Sequence, residues 1–392
     1  MDGATVAEPS PVPVASVVVV AHDSAPALER SMPALLAELR GDDELIVVDN
    51  CSSDGTVDAV RHLAPRATVL ESERNVGYGA GCNAGAEVAR GGLLIFLNPD
   101  AAVRPGFRDA IERPLRRSPE WGAWQGLVTS GDGAQLNSAG GVVHFTGIAW
   151  AGGAGRALRT SAGRAQLVGE AEASRGSGDG KGAWAEPSEV EPGVAAAGIS
   201  AGEVAFASGA CLAIPRQRWD EVGGFPADFF LYHEDVDLSL RMRLAGHSVG
   251  IEPAAIVDHD YEFDKGPMKW RNLERNRWAT IVRTYPAALI AVLLPALVAT
   301  ELALLFIALT GGWLTQKLRA WADVLRSAPG LLRSRRIVQA GRQVSAAEFA
   351  RALTGELDSP FLGSVGRSKA IGGLLRAYWL VARALLGPGG RR

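Results

Sequence analysis

Residues 14–21, VASVVVVA, form an unbroken run of β-branched and small apolar residues. A strand with one wet face alternates apolar and polar positions. A run without alternation fits a strand covered on both faces, as in a parallel sheet flanked by helices. Such a sheet needs crossover helices, and the sequence supplies them in order. A helix is expected over 26–39, a second apolar strand over 44–48, a helix over 56–63, a short strand over 68–70, a small-residue helix over 79–90 and a strand over 93–97. This β-α-β-α alternation predicts a doubly wound α/β unit in the first hundred residues. Ligands of such sheets lie beyond the carboxyl ends of the strands. Polar residues gather at those ends here: His22 and Asp23, Asp49 and Asn50, Arg74 and Asn75, Asn98 and Asp100.

A chain of 392 residues has room for about two or three domains at roughly 100–200 residues each. Its 47% hydrophobic and 21% charged residues exclude a disordered or fibrous chain. Against 43 Asp and Glu stand 40 Lys and Arg, a formal net charge of −3, so no global positive field draws nucleic acid and none is expected as a partner. Cys51, Cys82 and Cys211 make neither a disulfide framework nor a thiolate zinc site, which favours a reducing, cytosolic environment. Residues 1–13 are acidic and proline-containing and read as a disordered tail rather than a signal peptide.

Beyond residue 100 the reading is coarser. About 151–202 the composition turns to Gly, Ala, Ser and Glu, which reads as a flexible insertion. Order is expected to return over 204–214, with a helix at 234–245 ended by Gly246 and a strand at 248–257 leading to His259. A basic linker helix over 266–285 precedes an almost wholly apolar run at 287–309. That length can cross a hydrocarbon layer of about 30 Å. Pro295 and Glu301 weaken a span, because a carboxylate at the bilayer centre is costly, and a hairpin or in-plane helix is the rival. Basic residues from Lys317 to Arg342 and a second apolar stretch at 371–386 complete a helical, membrane-associated region over 286–392. This suits a seat on an anionic leaflet, at the cytoplasmic face of the cell membrane.

Five segments recur in a telling order: VVVVAHDSAPALERSMPAL, IVVDNCSSDGT, ERNVGYGAGCNAG, FLNPDAAV and FFLYHEDVDLSLRMRLAG. Together they resemble the family 2 inverting glycosyltransferases of GT-A fold, of the rhamnosyltransferase-like type, over about residues 14–259. The resemblance implies a Rossmann-like mixed sheet and a catalytic domain over 14–265. It also implies a nucleotide-diphosphate sugar as donor, with dTDP-rhamnose the family-level expectation, and a glycan or lipid-linked acceptor in cell-envelope polysaccharide synthesis. Mg2+ or Mn2+ is the implied cofactor.

The same resemblance distributes roles. Asp49 would bond the uracil or thymine of the donor, with His22 at the neighbouring strand end. Asn75 and Asn83 would lie beside the donor, and Gly209 in the turn Ser208–Cys211 would line the sugar pocket. Asn98-Pro99-Asp100 stands where the family has Asp-x-Asp; the first acid is an amide here, which places the metal chiefly on Asp100 and on His259. A hard carboxylate oxygen suits Mg2+ or Mn2+. Asp235 would be the base that deprotonates the acceptor, with Glu234 beside it and Asp237 structural. A helix N-terminus is expected to keep Asp235 ionised.

Other readings of the same residues stand beside these. Gly79, Gly81 and Gly85 fit close helix-to-sheet packing, and Asp54 fits a helix cap over 56–63. Residues 79–84 satisfy G-x-G-x-x-A, the mark of an NAD-dependent oxidoreductase, although that fingerprint belongs after the first strand of its domain. A catalytically silent membrane-bound binding protein is the other alternative, on the strength of Asn98 and the insertion. Basic and aromatic residues from Tyr261 to Arg277 fit either a lipid diphosphate or a position at the headgroup level.

Overall fold

A computed structural model of the chain describes residues 14–131, 133–161, 164–167, 199–259, 266, 268–358 and 368–390. The expected tail at 1–13, the centre of the insertion at 168–198 and the aromatic segment at 260–265 lie outside the described residues.

The α/β unit opens with β1 (Ala15–Ala21), α1 (Ala25–Glu38), β2 (Glu44–Asp49), α2 (Thr56–Leu63), β3 (Thr68–Glu71), α3 (Tyr78–Val88) and β4 (Leu93–Leu97). Val17 to Ala21 and Leu93 to Leu97 are buried on both sheet faces, as their unbroken apolar runs require. The chain continues through β5 (Ala102–Val103), α4 (Phe107–Ile111), α5 (Pro114–Arg117) and β6 (Trp121–Ser130). Next come β7 (Gln135–Ser138), β8 (Gly141–Val143), β9 (Ala149–Ala151), β10 (Leu158–Ser161), β11 (Arg164–Leu167), β12 (Gly202–Glu203) and β13 (Cys211–Pro215). The ends of the expected insertion are therefore strands: Leu158 is buried, and its N–H donates to the Ala134 carbonyl at 2.8 Å. Composition hid this, because the buried positions are few and widely spaced. Two helices, α6 (Arg216–Val222) and α7 (Glu234–Leu244), precede β14 (Ser248–Asp258).

The main sheet runs β12-β14-β6-β13-β4-β1-β2-β3, with β5 on β14 and β7 on β6. Strands β3, β2, β1 and β4 are parallel, whereas β13 lies antiparallel to β4 with Cys211 opposite Leu97. Reversal of this one strand brings its first residue to the edge where the parallel strands end. Helix α3 packs very closely on the sheet: a Cβ on Gly85 would stand 2.4 Å from Val18 Cγ1. Gly81 and Gly85 pack on β1 and β2, and Gly79 meets Phe225, so close packing accounts for all three glycines of that motif.

The C-terminal part holds α8 (Met268–Thr284), α9 (Ala287–Thr310), α10 (Leu314–Ala340), α11 (Ala346–Phe349) and α12 (Lys369–Leu386). Among the described residues α9 is the one helix long and apolar enough to cross a membrane. Leu289, Leu293, Leu297 and Ala308 face inward, while Leu294, Val298, Leu302, Phe306 and Leu309 are exposed. Glu301, expected to weaken a membrane span, points inward too. It ion-pairs with Arg277 of α8 and with Lys317 of α10 at 2.9 Å, and it accepts a hydrogen bond from Trp321 Nε1 at 2.7 Å. Glu274 joins the same cluster through Arg277, at 3.0 Å, and Lys317. Burial alone would raise the Glu274 carboxyl, but the two cations outweigh it and hold it at about 2. Basic residues of α8 are likewise engaged within the protein, Arg271 with Asp323 at 2.6 Å and Arg277 with Glu274.

Lys317 is fully buried, so removing its charge strands two carboxylates on one arginine. Lys317→Met is expected to destabilise the chain by about 3 kcal/mol, read as a lowered melting temperature in detergent solution.

Candidate active site

At the carboxyl end of β4, Asn98-Pro99-Asp100 turns into β5, whose Ala102 pairs with Asp258 at the end of β14. This pairing sets His259 beside the turn. Its Nε2 lies 3.2 Å from Asp100 Oδ1 and 3.0 Å from Asn98 Nδ2. The main chain of His259 is fixed at both ends, its N–H donating to the Thr129 carbonyl at 2.8 Å and its carbonyl accepting from Asn137 Nδ2 at 2.9 Å. Asp258 turns to Arg104, at 2.6 Å, and to Thr129. Among the described residues no group of three His, Cys, Asp or Glu gathers. The protein therefore offers one carboxylate and one buried imidazole, with an amide adjoining. This set fits a hard divalent ion that takes its remaining oxygens from phosphate and water.

On the other side, α7 begins with Glu234 and Asp235. Asp235 Oδ2 accepts from the Gly209 N–H at 3.1 Å and Oδ1 from the Val236 N–H at 2.8 Å. The next peptide closes the circuit: the Ala210 carbonyl accepts from the Asn98 N–H at 3.2 Å. Asp235, Gly209, Ala210, Asn98, His259 and Asp100 thus form one continuous chain of contacts at the sheet edge. Asp237 is fully buried and bonds Arg241 Nε at 2.6 Å, a structural placement.

At Asp235 burial outweighs the helix N-terminus expected to favour the ionised carboxyl. Burial pushes its carboxyl above the ordinary range, and the Gly209 and Val236 N–H groups oppose this only in part. For a base this is favourable, since proton affinity rises toward the working pH. Glu234 is raised well above its usual range, first by burial and then by the neighbouring Asp235 charge. Its Oε2 is buried with no hydrogen-bond partner. Both carboxyls are thus held above their ordinary range, Glu234 the further of the two.

The loops after β1 and β2 form the third side. Ser53 N–H donates to Asp23 Oδ1 at 2.7 Å and Asp23 N–H to Ser52 Oγ at 2.9 Å, which ties the two loops together. Asp49 is buried; its Oδ2 accepts from the Ser52 N–H at 3.1 Å, and its Oδ1 has no hydrogen-bond partner. His22 is exposed at the same edge. Asn75 Oδ1 accepts from Asn50 Nδ2 and the Gly77 N–H, each at 3.0 Å, so it shapes the loop before α3. Asn83 is set apart: its amide donates to the Phe225 carbonyl and accepts from the Phe225 N–H, both at 2.9 Å, leaving it committed to the backbone. The cap of α2 is Gly55, at φ 86°, and not Asp54, which instead bonds the N–H groups of Thr56 and Ala25. Gly209 is held from its carbonyl by Tyr78 Oη at 2.6 Å. Sequence reasoning gave no role to Tyr78 or Asn50, since single polar contacts across 26 or more residues leave no local pattern.

All four non-glycine residues with positive φ among the described residues flank this edge: Asp23 (47°), Cys51 (65°), Tyr232 (73°) and His233 (68°). Such conformations cost about 1–3 kcal/mol each and persist where surrounding contacts enforce them.

The mixed sheet, whose parallel strands end at a polar edge, has the architecture of the GT-A fold. Residues 16–133 match the family model Glycosyl transferase family 2, and over a longer stretch the chain resembles a rhamnosyltransferase. It is 29% identical over 268 residues to the N-acetylglucosaminyl-diphospho-decaprenol L-rhamnosyltransferase of Mycobacterium tuberculosis, covering 63% of this chain and 76% of that one. The succinoglycan biosynthesis protein ExoO of Rhizobium meliloti is 36% identical over 113 residues, 29% of this chain and 32% of that protein. Among solved structures, GalNAc-T7 with UDP, GalNAc and Mn2+ aligns with a TM-score of 0.50 at 14% identity, over 72% of this chain and 51% of that one. That likeness concerns the fold.

Because its folded-state proton affinity is raised, Glu234 favours the folded chain below the ordinary carboxylate range and loses that contribution as pH rises. Glu234→Gln is expected to melt several degrees above the wild type at pH 8, with the difference vanishing near pH 4, as read by thermal denaturation.

Proposed function

We propose that the chain transfers a sugar, rhamnose from dTDP-rhamnose as the first candidate, to a lipid-linked glycan with inversion at the anomeric carbon. The observation that carries this reading is the linkage of Asp235 to the Asp100–His259 pair through Gly209, Ala210 and Asn98. A base and a diphosphate-side ligand set then stand at one edge of the sheet, joined by these contacts. The unpartnered Asp49 Oδ1 supports the donor's orientation, since a buried carboxylate oxygen is suited to the ring N–H of a thymine or uracil. Asp235 takes the proton of the acceptor hydroxyl as its oxygen attacks the anomeric carbon, and the bond to the diphosphate breaks on the opposite face. Glu234, whose proton affinity is raised well above its ordinary range, leaves Asp235 as the proton acceptor. Mg2+ or Mn2+ held by Asp100 and His259 would neutralise charge on the departing diphosphate.

The acceptor reading draws on the mycobacterial relative, whose name specifies a decaprenol diphosphate carrying N-acetylglucosamine. It is supported by the exposed apolar residues of α9, α10 and α12, among them Phe306, Leu325 and Leu380. We place these helices in the plane of the cytoplasmic leaflet as a membrane seat following the catalytic domain. Glu301 faces the protein and so does not oppose this.

Asp235→Asn is expected to bind dTDP-rhamnose with unchanged affinity and to transfer at least about 100-fold more slowly. Undiminished turnover would remove Asp235 from the base role. The full chain is expected to float with vesicles containing anionic lipid. A Leu302→Glu, Phe306→Glu double variant is expected to remain in the soluble fraction, and equal flotation of the two proteins would overturn the seat.

A further inference from the structure

The carbonyls of the turn that aims Asp235 are each held by a specific donor. Phe230 O accepts from the Tyr78 N–H at 2.9 Å, and His233 O from the Asp237 N–H of α7 at 2.9 Å. The two between them, Leu231 O and Tyr232 O, accept from a single group, Nδ2 of Asn276 on α8, at 3.0 and 2.7 Å. An amide nitrogen carries two hydrogens, so Asn276 is saturated by this pair. Its orientation is fixed, because Arg275 Nε donates to Asn276 Oδ1 at 2.8 Å. Arg275 Nη2 also holds the Asp228 carbonyl at 2.9 Å, at the start of the same turn. Asn276 is fully buried. Tyr232 and His233 are consecutive left-handed residues directly before Glu234 and Asp235. Without enforcement this backbone relaxes, and the first turn of α7 rotates with it.

We propose that Asn276 is a positioning residue for sugar transfer: by clamping the left-handed turn at Tyr232–His233 it fixes where Asp235 meets the acceptor hydroxyl. This rests on the role of Asp235 as base. It gives α8 a function beyond linking the catalytic sheet to the apolar helices. The clamp acts on the acceptor side of the site, where Asp235 meets the Gly209 N–H; Asp49 is bonded by the Ser52 N–H, and the Asp100–His259 pair stands at the ends of β4 and β14. Loss of the clamp therefore affects turnover and spares the donor.

The test is Asn276→Asp in the full chain, an isosteric change that sets an acceptor oxygen against two carbonyls. The assay uses dTDP-rhamnose, Mn2+ and an N-acetylglucosaminyl-diphospho-polyprenol. We expect kcat to fall about 100-fold while donor KM stays within about two-fold. The acid limb of the rate profile should move as the surroundings of Asp235 change. A merely structural loss would reduce the number of donor-binding sites in step with kcat and leave the limb in place; that result overturns the proposal, as does unchanged kcat. Should Asn276→Asp fail to fold, Arg275→Gln, which releases the amide's orientation, carries the same expectations in weaker degree, and wild-type kcat with an unmoved limb in that variant overturns the proposal. A wild-type chain inactive with this donor and acceptor, or active as Asp235→Asn, would sink the underlying reading of function, whereas an active wild type matched by Asn276→Asp sinks the positioning role alone.

Discussion

The left-handed pair Tyr232–His233 is the constraint on which the geometry of the site depends. Neither residue favours that conformation, and the turn exists because α3 and α8 hold its carbonyls from opposite sides. Gly77 is required for the same reason: at φ 87°, a Cβ there would stand 2.2 Å from the Phe230 carbonyl oxygen. The turn directs the first residues of α7 back toward the sheet, where Asp235 meets the Gly209 N–H and Glu234 is driven into a dry position beside α3. The two carboxyls differ in consequence through their surroundings, since Asp235 has N–H donors and Glu234 Oε2 has none.

Topology makes the remainder of the site. In a wholly parallel sheet, the start of the strand beside β4 would lie at the far edge. Because β13 is antiparallel, the Ser208–Ala210 turn sits at the edge where β4 ends, and the Asn98 N–H bonds the Ala210 carbonyl there. β14 then runs parallel to β6 and delivers His259 to the same edge. Residues separated by more than 150 positions in sequence are thereby placed within 3.2 Å.

The C-terminal helices repeat the principle on a larger scale. Helix α9 is apolar enough that composition alone leaves its environment open, yet Glu301 selects one face. Paired with Arg277 and Lys317, it sets α9 against α8 and α10 and turns the exposed leucines and Phe306 outward. Buried ion pairs add little net stability relative to apolar packing, but their loss is costly, so such a cluster specifies register and orientation. Since α8 also carries Asn276, the orientation of the apolar helices and that of the catalytic turn share one element.

The sequence alone determined the α/β class, the elements of the first hundred residues and the polar edge at the ends of β1, β2 and β4, because local apolar runs and turn residues encode them directly. It also marked Asp100, Asp235 and His259, whose short motifs are contiguous. Strand β6 escaped notice, because WGAWQGLVTS carries a glycine that approaches the Ala255 carbonyl and a buried Gln125 that bonds Ser208, features that look unlike a core strand until the partners are in place. Asn276 and Glu301 were unreadable in the same way. Each is one polar residue in a helix, and its meaning resides in groups brought to it from distant segments. Burial, the direction of the Asp235 proton affinity and the commitment of Asn83 to Phe225 were likewise decided only by tertiary structure, since desolvation and long-range hydrogen bonds have no local signature in a chain.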